Sequence, residues 1–273
     1  MNLDDIPLGK NTEYPDRYDP ELLFPIAREE KRTEIGLADP APFNGKDSWT
    51  AYEMSWLDSL GKPQVAIGLF EIPCNSPAIV ESKSFKLYLN SFNQNQFADW
   101  SQVKACLHRD LAAAIGAELD ITLYTVDEFQ TKGITTFNGL CLDELSVECS
   151  QYDYAPDLLR CVDGGKQVSE QLYSHLLKSN CLITSQPDWA SVFIAYEGAA
   201  IDHESLLQYL VSFRNHNEFH EQCVERIYQD VMHYCQPQKL TVYARYTRRG
   251  GLDINPWRSN HATQLPFARM SRQ

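Results

Sequence analysis

"IVESKSFKLYLNSFNQNQF" (79–97) and "AIDHESLLQYLVSFRNHNEF" (200–219) lie about 121 residues apart and resemble each other: Tyr88-Leu89 falls on Tyr209-Leu210, and Ser91-Phe92 on Ser212-Phe213. Upstream, "KPQVAIGLF" (62–70) lies against "QPDWASVFI" (186–194) with the prolines matched. Two matches in the same order point to a duplicated unit, and self-similarity of this kind decides the fold before any single element does.

Each unit carries the same grammar. An apolar or alternating strand (65–72; 191–197) is followed by a helix opening at a Ser-rich or acidic turn. A second amphipathic helix comes next, over 99–115 with Val103, Leu107, Leu111 and Ile115 on one face, and over 217–235 with Val224, Ile227, Val231 and Cys235. A β-rich stretch closes the unit, "LDITLYTVDEF" (119–129) and "KLTVYARYTRR" (239–249). Strands flanking a helical pair twice predict an α+β fold with antiparallel sheet covered on one face. The expected boundaries are an irregular arm over 1–50, a first unit over 51–130, a connection over 131–165 and a second unit over 166–273. Turn signals at Asn138-Gly139 and Gly164-Gly165 fall in the connection.

The duplication also shows what each copy lacks. Asp188 of the second unit corresponds to Gln64 of the first, Cys181 has no counterpart in "WLDSLGK" (56–62), and "ESKS" (81–84) is replaced by "DHES" (202–205). Chemistry divided between diverged halves implies one composite site per chain.

Bulk composition narrows the classes. The chain has 273 residues, 43% hydrophobic and 22% charged, which suits a soluble globular protein. Its start, "MNLDDIPLGK", is acidic where a signal peptide would be basic, and no apolar run suits a membrane span, so the cytoplasm is the expected location. Eight cysteines without a CxxC pair spell neither a zinc ribbon nor a thioredoxin motif. A formal charge of −13 argues against direct nucleic-acid binding. The local exception is 239–258, where Lys239, Arg245, Arg248, Arg249 and Arg258 face only Asp253 as an acid.

Several motifs carry possible chemistry. In "KSNCLITSQPDW" (178–189), Cys181 follows Lys178, Ser179 and Asn180, a polar setting suited to a thiolate, and precedes Pro187-Asp188. A buried packing thiol is the simpler reading. "FRNHNEFHEQC" (213–223) sets His216 and His220 four apart, yet spells neither HExxH nor HxxEH. A helix start with Asn217 as N-cap covers most of it and leaves His220-Glu221, beside Phe219, unexplained. "ESKSFKLY" (81–88) is an N-cap turn by the simplest reading; as a site it offers a carboxylate, two hydroxyls, an ammonium and helix-start amides. "RYTRRGG" (245–251) places arginines before a Gly-Gly that would let backbone approach a phosphate.

Taken together, Cys181 with "QPDW", "ESKSFKLYLNSF", "FRNHNEFHEQC" and "YARYTRRGGLDINPWRSN" resemble the two-halved form of the NADPH-dependent 7-cyano-7-deazaguanine reductases, the nitrile reductases of queuosine biosynthesis, from about residue 50 to 260. The resemblance implies a tunnelling fold of antiparallel strands and paired helices, shared with zinc-dependent GTP cyclohydrolase. It implies Cys181 as nucleophile and Asp188 as proton donor, with His220 also in the catalytic group. Base contacts carry over to Glu81, Ser82, Lys83, Phe219, His220 and Glu221, and cofactor contacts to Lys83, Ser84, Arg248, Arg249 and Gly250. NADPH is the implied co-substrate, no metal is required, and a homodimer is expected. A zinc cyclohydrolase-like enzyme on the same fold is the alternative.

Overall fold

The computed structural model describes residues 15–37, 39–263, 265 and 269–273, so the first fourteen residues of the expected arm lie outside the described residues. The chain divides into two compact units. Of the described residues, the first holds those within 15–34, 46–133 and 248–254, and the second those within 35–45, 134–247 and 255–273. Described residues 15–34 thus pack with the first unit, and residues 134–165, read from sequence as a connection, pack with the second.

The first unit runs β1 (Pro25–Ala27), α1 (Arg28–Glu34), β2 (Asn44–Leu57), β3 (Pro63–Pro73), β4 (Ala78–Val80), α2 (Ser82–Asn90), α3 (Trp100–Ile115), β5 (Asp120–Tyr124) and α4 (Val126–Gln130). β2, β3 and β5 pair antiparallel, and β1 pairs with β4. The apolar face foreseen for α3 is the buried one: Val103, Leu107, Leu111 and Ile115 are all fully enclosed. Phe85 of α2 meets Trp49 and Phe70 edge-on at 5.3 and 5.2 Å, locking helix to sheet.

The second unit runs β6 (Leu140–Cys141), β7 (Gln167–Asn180), β8 (Pro187–Ala199), α5 (His203–Val211), α6 (His220–Tyr234), β9 (Lys239–Tyr246) and the latter part of β10 (Leu252–Ser259). β7, β8, β9 and residues 257–259 of β10 pair antiparallel in turn, while two-residue β6 lies parallel to β7. The architecture is α+β, two tandem units each of antiparallel sheet and a pair of helices.

The duplication is deeper than the sequence match. β2 and β7 are both 14 residues long. Their register shifts fall at matching places, Ala51/Met54 and Ser174/Leu177. Tyr88 donates to Asp110 Oδ2 at 2.6 Å, as Tyr209 does to Asp230 Oδ2 at 2.5 Å. A second tyrosine completes each pair, Tyr18 on Asp110 and Tyr154 on Asp230. Burial and these donors' acceptors push the Tyr88 and Tyr209 hydroxyls far above their ordinary range, so they remain donors at any working pH.

Three expected elements differ. The strand read over 119–129 stops at Tyr124, because Thr125 and Glu128 form a capping box that opens α4. The helix read from 217 begins at His220, and its N-cap is Phe219, since the Asn217 amide is engaged by Asn180 and Ser185. The glycines of "RRGG" sit at φ 55° and 71° between Arg249 and Leu252, which bond each other as a hairpin turn; the turn requires Gly250-Gly251 without any ligand.

Candidate active site

Cys181 lies in the loop that returns β7 to β8. Its amide donates to Gln186 O at 2.9 Å and its carbonyl accepts from Ser185 N–H at 3.0 Å, closing the loop on itself. Ser185 adopts φ 54°, a left-handed conformation that costs a non-glycine residue energy and marks a turn held by its surroundings. The holding groups are visible. Asn217 Nδ2 donates to Ser185 Oγ at 2.9 Å, and Asn180 Nδ2 donates to Asn217 Oδ1 at 3.0 Å. Backbone bonds run from Asn180 N–H to His216 O and from Glu218 N–H to Asn180 O. The thiol loop and the segment before α6 are therefore braced together within the second unit.

That brace delivers the start of α6 to β8. Asp188, opposite Ser179 in the β7–β8 ladder, is 3% exposed, and its Oδ2 lies 3.3 Å from His220 Nε2. The His220 ring stacks on Tyr246 of β9 with centroids 3.7 Å apart and planes 6° from parallel, which fixes its orientation. His220 Nδ1 is buried with no hydrogen-bond partner. Burial lowers the Lys178 ammonium, with Arg214 adding to the fall and Asp188 opposing it. Lys178 Nζ also donates to Asn180 Oδ1 and to the Arg214 carbonyl. Phe219 is the N-cap of α6 and has no side chain that can accept from the helix, so it holds the position through its extended backbone alone.

The other residues of this segment are occupied. Arg226 grips Glu218 through Nη2 at 2.6 Å and Nε at 3.0 Å, and His216 Nε2 lies 3.2 Å from Glu218. The His216–His220 spacing is thus a break between two structures, since His216 stands outside α6. No group of three metal-ligand atoms gathers at Cys181 among the described residues.

In the first unit, Glu81 is the N-cap of α2: its carboxylate accepts from Lys83 N–H at 2.9 Å and Ser84 N–H at 2.7 Å, and it is 2% exposed. Ser84 is buried, its hydroxyl donating to Glu81 O and accepting from Phe24 N–H. Ser82 and Lys83 form the half-buried first turn. The Arg249–Leu252 turn belongs to the same unit, and a Cβ on Gly250 would stand 3.4 Å from Lys86 Cδ, so the turn reaches α2. Arg248 is exposed over the Tyr52 ring at 4.9 Å. The basic cluster read from sequence is smaller than expected: Arg245 and Arg258 are buried, Arg245 donating to Gln273 and Tyr243 and Arg258 pairing with Glu225 at 2.9 Å, while Lys239 pairs with Glu197. Arg248 and Arg249 remain in the turn that reaches Lys86 of α2, a cationic set whose chemistry fits a phosphate.

Sequence reasoning placed Lys178 beside the thiol and missed Tyr246 and the Asn180–Asn217 brace. Neither carried a local signal, since Tyr246 and Asn217 come from segments well beyond the thiol loop. In the first unit, Gln64 Nε2 donates to Asp58 Oδ2 at 3.0 Å at the end of the corresponding hairpin. That amide–carboxylate pair is the inert equivalent of the region bearing Cys181 and Asp188.

Fold and site define an α+β enzyme that carries a thiol, a carboxylate and an imidazole in one of two duplicated units. Residues 14–123 match the family described as nitrile reductase, 7-cyano-7-deazaguanine-reductase N-term, and residues 187–265 match the family described as QueF-like protein. Curated proteins named NADPH-dependent 7-cyano-7-deazaguanine reductase are similar along nearly their whole length. That of Albidiferax ferrireducens is 57% identical over 274 residues, 95% of each chain, and that of Bordetella avium is 55% identical over 266 residues, 97% of each. That of Dechloromonas aromatica is 58% identical over 254 residues, 93% of this chain and 89% of its own. Among solved structures, the apo archaeosine synthase QueF-Like aligns with 36% of this chain and 96% of its own, at 18% identity and a TM-score of 0.31. The chain belongs to the NADPH-dependent 7-cyano-7-deazaguanine reductase family.

Proposed function

We propose that this chain reduces the nitrile of 7-cyano-7-deazaguanine to the primary amine 7-aminomethyl-7-deazaguanine, with two NADPH per turnover, as a step toward queuosine in tRNA. The observation that carries the reading is the buried Cys181 loop braced to the Asp188–His220 pair. A nitrile carbon is a modest electrophile, so a thiolate adds to it readily only when a proton reaches the nitrile nitrogen as charge develops there. Cys181 Sγ forms the S–C bond, and Asp188 delivers the proton to nitrogen, giving a thioimide; the thiol proton and the delivered proton balance through the Asp188–His220 pair. NADPH, when bound, supplies the hydrides. After the first, the Cys181–carbon bond breaks and leaves an imine; the second converts the imine to the amine. His220, fixed on Tyr246, holds the Asp188 carboxyl in place; the thiolate expelled from the carbon and the nitrogen left by the second hydride each take one proton from solvent, passed through the Asp188–His220 pair.

Glu81 and Glu221 serve the guanine edge, since a carboxylate accepts from N1–H and the exocyclic amine together. Glu81 is already an N-cap, and its two oxygens retain lone pairs for a ligand donor. Ser82, Lys83 and Phe219 complete the base contacts. Lys83, Ser84, Arg248, Arg249 and Gly250 hold NADPH, the cationic members favouring a 2′-phosphate. No helix of the described residues is long and apolar enough to cross a membrane. A cytoplasmic homodimer that binds no nucleic acid directly belongs to the same reading, and light scattering at twice 31.2 kDa checks the dimer.

The test is a stopped assay with 7-cyano-7-deazaguanine and limiting NADPH. The expected result is two NADPH oxidised for each nitrile lost and no consumption without nitrile. A bound base with no NADPH oxidation would overturn the proposal.

A further inference from the structure

We propose that Cys141, Asp143 and His175 form a zinc-binding clamp at the outer edge of the second unit's sheet. Nothing in the proposed nitrile chemistry uses these residues. One ligand atom from each lies within 4.8 Å of the others, and all three are half-buried.

The site is built from both ends. Cys141 closes β6, which is only two residues long and pairs parallel with β7 through Cys141 and Tyr173. His175 stands in the β7 bulge between Ser174 and Leu177, which turns consecutive groups toward Asp143. Ser174 Oγ donates to Asp143 Oδ1 at 2.6 Å, and His175 N–H donates to Asp143 Oδ2 at 3.0 Å, so the carboxylate is oriented before any ion arrives. Ser191 Oγ lies 2.7 Å from His175 Nδ1 and fixes the ring. Such supporting hydrogen bonds are what metal-ligating histidines and carboxylates require. The equivalent bulge of the first unit carries Ala51, Tyr52 and Glu53, so the group arose in one copy only.

A thiolate, an imidazole and a carboxylate favour zinc over magnesium or calcium, which prefer all-oxygen shells. Two anionic ligands neutralise the ion, and its fourth position is left to water. The consequence is mechanical: zinc adds a bond between Cys141 and His175, 34 residues apart, to the two-residue ladder and the Asp143 hydrogen bonds that already join β6 to β7. This inference is independent of the proposed nitrile reduction.

Cobalt(II) added to chelator-treated full-length protein reads the site directly. The expected result is one cobalt per chain with a thiolate-to-cobalt charge-transfer band and tetrahedral visible absorption, displaced by zinc. Cys141→Ser should abolish the charge-transfer band, Ser191→Ala should weaken zinc about 10–100-fold, and Cys181→Ala should leave the band intact. Nitrile turnover of Cys141→Ser should match wild type, which also shows that it folds. Should that variant not fold, alkylation mapping on wild type decides: zinc should protect Cys141 from iodoacetamide. Absence of the band in wild type, its survival in Cys141→Ser, its loss in Cys181→Ala, or unprotected Cys141 would each overturn the clamp.

Discussion

At the scale of the residue, the chemistry rests on Cys181 and on which group moves the proton. Cys181→Ala should abolish both turnover and a covalent adduct with the nitrile, read by intact-protein mass spectrometry without NADPH. An adduct that survives in the alanine variant would assign the nucleophile elsewhere. Asp188 lies 3.3 Å from His220, so either can be imagined as the donor. Asn preserves the shape and a hydrogen bond but carries no acidic proton. Asp188→Asn should therefore keep base affinity within a few-fold and slow adduct formation by about 10²–10⁴. Adduct formation at the wild-type rate would transfer the donor role to His220. Cys181 and Asp188 were legible because a hairpin keeps them close in sequence. Tyr246, stacked on His220, was not, because its partner comes from a strand 26 residues away and no local pattern marks it.

At the scale of the element, helices announced themselves and several strands did not. The buried face of α3 follows the 3.6-residue period without interruption, whereas β2 and β7 each carry a bulge that breaks the period of two, which is why neither was read from the sequence. β10 was not read as a strand: it fell at the end of the basic stretch 239–258, and its polar Asp253, Asn255 and Arg258 are buried and bonded, Asn255 to Tyr246 N–H and Arg258 to Glu225. The hairpin that feeds it depends on Gly251. At φ 71° an alanine Cβ would stand 2.4 Å from Glu53 Cδ, so Gly251→Ala should cost on the order of 1–3 kcal/mol and raise the NADPH Michaelis constant by displacing Arg249. Denaturant unfolding and steady-state kinetics check both; a variant with wild-type stability would mean that the turn tolerates another geometry. The caps give a pH test. Burial alone would raise the Asp202 carboxyl, but the Ser205 amide and Arg160 hold it below its ordinary 3.8. A depressed carboxyl contributes stability above its unfolded pKa and loses it as pH falls through the folded one. Asp202→Ala should cost about 0.5–2 kcal/mol at neutral pH, and the gap to wild type should close as pH falls below about 4. A gap that persists at low pH would show that Asp202 acts by packing.

At the scale of the whole molecule, duplication explains why the sequence disclosed the architecture before the site. Tyr88 and Tyr209 with their aspartates keep both units the same, while Asp58–Gln64 and Cys181–Asp188 diverge at corresponding hairpin ends. The extent of each unit was less legible, because 15–34 and 134–165 hold no periodic pattern and join their units through short pieces, the three-residue β1 on β4 and Tyr18 on Asp110 in the first, the two-residue β6 on β7 and Tyr154 on Asp230 in the second. Charge is the other property of the whole. A chain of formal charge −13 repels an anionic dinucleotide at long range, and the arginines that might have offset this are reduced by burial of Arg245 and Arg258. Arg249, beside the exposed Arg248, then carries an unusual share of NADPH capture in the proposed reading. Removing one charge-assisted phosphate contact should cost about 1.5–3 kcal/mol, so Arg249→Ala should raise the NADPH Michaelis constant by roughly 10–150-fold with base affinity nearly unchanged. Because salt screens exposed charges within about 10 Å at 0.1 M, the wild-type constant for NADPH should rise with ionic strength, and the variant's should rise less steeply. Equal losses for base and cofactor, or identical salt dependence in the two proteins, would make Arg249 a structural member of the turn and leave cofactor capture to Arg248 and the lysines of α2.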